Sequence, residues 1–298
     1  MTPLLADTSR DAIRLDVRKL SSLPAVSPVL DQLLDAIGDE EITIESFARL
    51  IEQDPALLGR IIGLANAAYF GHAEPVTSAE EAIFKSLGLR LARSLALSIA
   101  LAGPFRILAS IPGFELQRFW LQAILTASMT QELSTLVTVE PRPGAEESYL
   151  AGMLHNFGLL PLIHLYPEQV TEAYRRREAE PALSLSSALR EVSDTDHYEV
   201  GAWLAEHWHI PGNIVTVIRN LNDYSYRGDH YPLVLLIHAT AEWAESYCND
   251  GDRKWLPESA KAAFFDLGVS VEQVHQVQDK LHRKRELYEA VAKMLAVV

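Results

Sequence analysis

Apolar positions recur along this chain at helical spacing, and no run alternates with period two for long enough to predict a strand. In the segment IESFARLI, Ile44, Phe47, Ala48 and Ile51 fall on one face. Asp54-Pro55 then reads as a cap with proline at the first helical position, and the following helix is predicted to bury Leu58, Ile61, Ile62 and Ala65. Ser78-Ala79-Glu80-Glu81 has the form of a capping box, opening a helix that stops near Gly88. A second apolar helix follows and ends at Pro104. After a break at Ile111-Pro112-Gly113, residues Leu116, Phe119, Trp120, Ala123, Ile124 and Ala127 define one face of a long helix.

The run from Glu147 to Ile163 predicts a single buried helix, with Gly158 and Pro161 near its end. Further helices are expected from Pro167, over Asp196 to Trp208, Pro211 to Leu221 and Pro232 to Tyr247, and from Ser270 onward, where Ser270 to Gln273 form another capping box. There is no fixed-period repeat and no low-complexity tract. The expected fold class is all-α, a multi-helical bundle, with the break at residues 104–113 as the candidate boundary between two lobes that can share one core.

Composition narrows the function classes. The chain has 298 residues, 48% of them hydrophobic, enough for one large or two modest domains. A net charge of −14 disfavours nonspecific binding to nucleic acid or anionic membranes. The one short basic run, Arg175-Arg176-Arg177, reads as a solvated helix face. The single cysteine, Cys248, permits no internal disulfide and fits a reducing cytoplasm, and no base beside it suggests a nucleophile. The start of the chain lacks the pattern of a secretory signal, and the longest apolar run, between Arg93 and Arg106, is too short to cross a bilayer. Gly-rich phosphate loops, GxSxG and CxxC motifs are absent. Glu80-Glu81 and Glu146-Glu147 read as first-turn partners of the helix dipole. Trp120, Trp203 and Trp208 suit helix packing better than base stacking.

An ordered set of motifs resembles the HDOD domain family, bacterial signalling relatives of HD-type metal-dependent phosphohydrolases. They are Leu23-Pro24, Asp54-Pro55-Ala56-Leu57, the Ala-Asn-Ala-Ala-Tyr run at residues 65–69, Ala82-Ile83 with Leu87-Gly88, Phe119-Trp120, Ala151 to His155, Val200-Gly201-Ala202, and Trp208 to Pro211. The resemblance covers roughly residues 20–220, read as lobes 20–108 and 112–220, with 1–19 as an N-terminal extension and 221–298 as C-terminal helices packing on the second lobe.

The wider HD group, by that resemblance, holds metal with a histidine, a His-Asp pair and a further aspartate. Here the first histidine falls near Gln122, the pair reads His155-Asn156, the stretch where relatives carry paired histidines reads Leu221-Asn222, and the last aspartate falls around Thr240 to Glu242. His155 and His197 survive clearly, but neutral imidazoles without a carboxylate suit a hard cation poorly. The resemblance therefore implies a non-catalytic regulatory module, without cofactor or bound metal, acting in trans on other signalling proteins. A second possibility is a sensor that binds a nucleotide or other small ligand with Gln122, His155, Asn156, His197 and His238 around the pocket. A residual metal-dependent phosphohydrolase is the third. The bland readings stay open: His155 as a satisfied core histidine, His164, His207 and His209 as unrelated to it, and Asn66 as a tether to a loop rather than a pocket residue.

Overall fold

The computed structural model describes residues 9–21, 29–39, 41–66, 74–102, 105, 111–251 and 254–296, and among them every regular element is a helix. In chain order these are α1 Arg10–Ser21, α2 Leu30–Gly38, α3 Ile44–Glu52, α4 Pro55–Ala65, the single turn α5 Ala79–Ala82 and α6 Leu89–Ala102. Then come α7 Leu116–Ser134, α8 Ala145–Leu154, α9 Leu159–Leu165, α10 Pro167–Ala179, α11 Leu185–Ser193 and α12 His197–His207. The remainder are α13 Gly212–Asn220, α14 Tyr231–Asp250, α15 Glu258–Asp266, α16 Val271–His282 and α17 Arg285–Leu295. A π-helical turn, Ile83–Leu87, continues α5 and ends at Gly88 with φ 74°. Leu23-Pro24, residues 67–69, Pro104 and residues 106–110, which carry part of the motif pattern and of the expected lobe boundary, lie outside the described residues.

The centre is α7. Eight consecutive residues, Ala123 to Thr130, are buried on it, which a surface helix with one apolar stripe cannot do. It is enclosed by α8, α14, α16 and α17. The helices approach closely where side chains are absent. A β-carbon on Gly152 of α8 would lie 2.4 Å from the Ala127 Cα of α7. The Thr130 hydroxyl bonds the Thr126 carbonyl at 2.7 Å and the Thr240 hydroxyl of α14 at 2.7 Å, so this buried hydroxyl is satisfied. One hydrophobic cluster runs from Ile13 of α1 to Leu295 of α17, joining residues before and after the break; a second gathers α7, α14, α15 and α16 around Trp243 and Phe264.

The capping signals are realised in part. The Asp54 carboxylate accepts from the backbone nitrogens of Ala56 and Leu57 at 2.9 and 3.1 Å, with Pro55 at the first helical position. Asp54→Ala should cost about 1 kcal/mol, read as a lower urea midpoint at unchanged slope. Ser270 and Gln273 form the complete reciprocal box. Ser78 forms only half of one: its hydroxyl accepts from Glu81 N, but the Glu81 carboxylate returns to the Thr77 nitrogen instead. The buried face of α4 is Leu57, Ile61, Leu64 and Ala65: Ile61 and Ala65 are buried as predicted, whereas Leu58 and Ile62 are only half-buried and Leu57 and Leu64 complete the face. Asn66 is a tether: its amide donates to the Val76 carbonyl at 2.8 Å and accepts from the Val76 nitrogen at 2.7 Å.

Four helices went unpredicted: α1, α2, α11 and α15. α1 carries a short seam, Ile13 and Val17, in a charged sequence; it packs on α12, where Arg10 pairs with Glu199 and the Arg10 and Arg14 guanidinium groups lie over Trp203. α11 and α15 are nine residues each. The helix predicted over Glu147 to Ile163 is two helices, because residues 155–158 form a turn between α8 and α9. Pro161 does not end a helix. It occupies the first turn of α9, where its missing N–H costs no intrahelical bond.

Candidate functional site

The turn that divides α8 from α9 builds the site. It places His155 and Asn156 against the start of α12, where His197 is the first helical residue. The approach is possible because Gly158 and Gly201 meet backbone to backbone: a β-carbon on Gly158 would lie 2.0 Å from the His197 carbonyl oxygen and 2.3 Å from Gly201 N. Asp196 caps α12 by accepting from Glu199 N at 2.8 Å. Its other oxygen accepts from Asn222 at 2.6 Å and pairs with Arg190 at 2.7 Å. That carboxylate is fully buried, and burial pushes its pKa up.

His155 is 1% exposed. Its Nδ1 lies 2.6 Å from the Gly152 carbonyl. A carbonyl only accepts, so Nδ1 carries the hydrogen and Nε2 is a bare acceptor. Burial pushes the His155 pKa down to about 4, with His197 adding to the shift and the Gly152 bond opposing it. His197, 5% exposed, is pushed to about 3, first by burial and then by the positive charges of Arg177 and Arg190. Both rings are neutral at pH 7. Asn156 Oδ1 and His197 Nδ1 are buried and have no hydrogen-bond partner.

These groups line a cavity of about 110 Å³ between α7, α9, α10, α12 and α14. Gln122, His155, Asn156 and His197 are brought together there. His238 is not among them: its Nδ1 donates to the Leu221 carbonyl at 2.7 Å and its ring abuts Tyr224, facing away from the cavity lining. Within the window assigned to a last carboxylate, Thr240 bonds Thr130 and Glu242 accepts from Tyr224 and Ser259. Leu221-Asn222 serve His238 and Asp196 respectively.

Among the described residues, two carboxylates line the cavity: Glu115, 3.9 Å from Arg118 where α7 begins, and Glu245, beyond that window and three residues past Glu242 on α14. Glu245 pairs at 2.7 Å with Arg177, whose Nε also donates to the Leu183 carbonyl at 3.3 Å. The basic run on α10 is therefore not uniformly solvated. Arg175 and Arg176 pair with Glu172 and Glu191 outside, whereas the Arg177 side chain is 25% exposed and turns inward. Successive helical residues point about 100° apart, so three like charges in a row cannot share one environment. Alternation of exposed and inward arginines was the signal available, but which one turned in depended on where α14 lay. Among the described residues, no group of three or more His, Cys, Asp or Glu is arranged to hold a metal ion, and no helix is long and apolar enough to cross a membrane.

A helical HD-like module with its cavity at the α8–α9 turn is thus what the fold defines. A family model for the HDOD domain matches residues 23–224, and the chain belongs to that family. An uncharacterized protein of Treponema pallidum (strain Nichols) is 29% identical over 220 residues, 72% of this chain; the chain spans 41% of that relative's length. Solved structures share the fold. A candidate signal transduction protein from Marinobacter aquaeolei VT8 superposes with TM-score 0.82 at 22% identity, over 98% of this chain and 67% of that one. A candidate phosphohydrolase from Shewanella amazonensis SB2B gives 0.70 at 22% identity, covering 95% of this chain and 98% of its own. An HDOD domain protein from Geobacter sulfurreducens gives 0.69 at 20% identity, over 96% and 99%.

Proposed function

We propose that this chain is a non-catalytic signalling module that acts on other regulatory proteins by binding, with a phosphohydrolase-type cavity that no longer hydrolyses. The observation that carries the reading is the Arg177–Glu245 pair in the cavity wall. A divalent ion needs anionic oxygen, and both carboxylates of the lining already sit beside guanidinium groups that would repel the ion, Glu245 beside Arg177 and the outer Glu115 beside Arg118. The other donors are the neutral rings of His155 and His197 and the neutral amides of Gln122 and Asn156. That set does not fit a hydrolytic metal centre.

The test is elemental analysis of protein purified without chelator, together with a phosphodiesterase assay in added Mn²⁺. No bound metal and no hydrolysis are expected. Asn156→Asp is expected to stay inactive, because Gln122 and the Arg177–Glu245 pair remain; hydrolysis in that single variant would overturn the reading.

The partnerless Asn156 Oδ1 and His197 Nδ1 favour a second role for the same cavity, recognition of a small ligand. At about 110 Å³ it is smaller than the ~300 Å³ at which sites for drug-sized molecules begin, which argues against a whole nucleotide as occupant.

A further inference from the structure

The floor of the cavity offers acceptors that nothing in the fold uses. His155 has spent its one hydrogen on Gly152, leaving Nε2 bare. Asn156, 6% exposed, holds Oδ1 without a donor. Leaving such an atom unpaired is costly, so a donor belongs there.

The wall supplies the opposite character. Of the Arg177 guanidinium, Nη2 bonds Glu245 and Nε bonds the Leu183 carbonyl, while Nη1 has no partner among the described residues. Arg118 lines the same cavity with its side chain 45% exposed, loosely held by Glu115 at 3.9 Å and Asn249 at 3.4 Å. At the floor, Arg177 and Arg190 both disfavour a proton on His197, after burial itself. An ammonium group or a metal cation would find neutral rings at the floor and both lining carboxylates, Glu245 and Glu115, already beside arginines. An ordinary anion would satisfy the arginines but leave the acceptors empty.

We propose that the cavity binds one small oxyanion that keeps a hydroxyl hydrogen, of the class of monohydrogen phosphate or a 2-hydroxycarboxylate. Its charged oxygens face Arg177 and Arg118, and its hydroxyl donates to His155 Nε2 or Asn156 Oδ1. A volume of about 110 Å³ holds about four waters at ~30 Å³ each, which suits a molecule of this size. The assignment rests on the cavity being non-hydrolytic, and it makes the cavity a sensor input for the signalling module.

The experiment uses matched pairs on the full chain at pH 7.5 and constant ionic strength. Phosphate is compared with sulfate, which has the same shape but no hydrogen at that pH, and glycolate with acetate. Affinity is read by calorimetric titration and by thermal shift. In at least one pair, the hydroxyl-bearing member should bind tenfold or more tightly than its twin; which pair shows the preference separates the phosphate from the carboxylate class. Asn156→Leu should erase the preference. Arg177→Met should weaken both members of the pair, and Arg175→Met, at its exposed neighbour, should change neither. Equal binding within both pairs, or no binding of any, overturns the assignment, and the wild-type comparison decides even if a variant fails to fold. Such a failure without metal or hydrolysis leaves the non-catalytic reading standing; stoichiometric metal removes the reading beneath it.

Discussion

Gly158→Ala should destabilise the protein by more than about 3 kcal/mol, at or beyond the upper end of what overpacking ordinarily costs. The backbone at Gly158 is unremarkable, with φ −64°, so any residue could adopt it. Room is what is missing. The added carbon would lie 2.0 Å from the His197 carbonyl oxygen, 2.3 Å from Gly201 N and 2.6 Å from Gly201 Cα. All three neighbours are backbone, so no side chain can rotate aside. Relief requires the α8–α9 turn to move off α12, which would open the cavity and lift Leu159 and Phe157 from the core. Gly152→Ala meets Ala127 Cα at 2.4 Å and should behave alike. Gly201→Ala, with its nearest contacts at 3.1 and 3.2 Å, should cost less. Gly59→Ala is the control: its β-carbon meets nothing within 4 Å in exposed α4, and alanine there should add about 0.5–1 kcal/mol. Urea midpoints for the four variants give the order directly, and a Gly158→Ala midpoint near that of the parent would refute the packing described.

Acid should unfold the protein earlier than its surface charge suggests, and His155 and His197 are the cause. In the unfolded chain a histidine titrates near pH 6.5. In the folded chain burial holds His155 to about 4, and burial with Arg177 and Arg190 holds His197 to about 3. Below pH 6.5 the unfolded state therefore binds more protons than the native state, and stability falls as pH falls. The contribution is fully present above pH 6.5 and is lost progressively through the window down to the folded values. With both rings protonated only on unfolding, the slope approaches about 2.7 kcal/mol per pH unit near pH 5. The Asp196 carboxyl, raised by burial, opposes this at the acid end. Carboxylates held low, such as Glu172 between Arg175 and Arg176 at about 2, matter most below pH 4.5. Those carboxylates begin to add to the slope as pH falls through about 5.5, so the slope between pH 6.5 and 5.5 reports the two rings most directly. Urea unfolding at half-unit steps should show it, and His155→Gln should remove about half. A slope indifferent to both His155→Gln and His197→Gln would mean that neither ring is held neutral.

Much of the helical order was legible from local rules. Asp54-Pro55 and Ser270 to Gln273 mark helix starts by satisfying backbone donors within a few residues, which requires no knowledge of the rest of the fold. The burial of α7 could be read only on one face, because Thr126, Ser128 and Thr130 look polar in sequence. The Thr130 hydroxyl is absorbed by Thr240, more than a hundred residues away, while the Thr126 hydroxyl is buried without a partner. Residues 155–158 read as helix because their apolar neighbours continue the period. The turn there is imposed from outside, by the contact of Gly158 with Gly201.

The site divides the same way. Sequence alone established an all-α chain, the presence of His155 and His197, and asparagine in place of aspartate at position 156, since residue identity and local periodicity are properties of the chain itself. It could not separate Arg177 from Arg175 and Arg176, nor choose Glu245 over Glu242, nor detach His238 from the cavity. Those outcomes depend on how α10, α12 and α14 are rotated against one another. A helix one residue out of phase turns by about 100°, enough to exchange a cavity wall for solvent, and that rotation is fixed only by close packing of side chains distant in sequence.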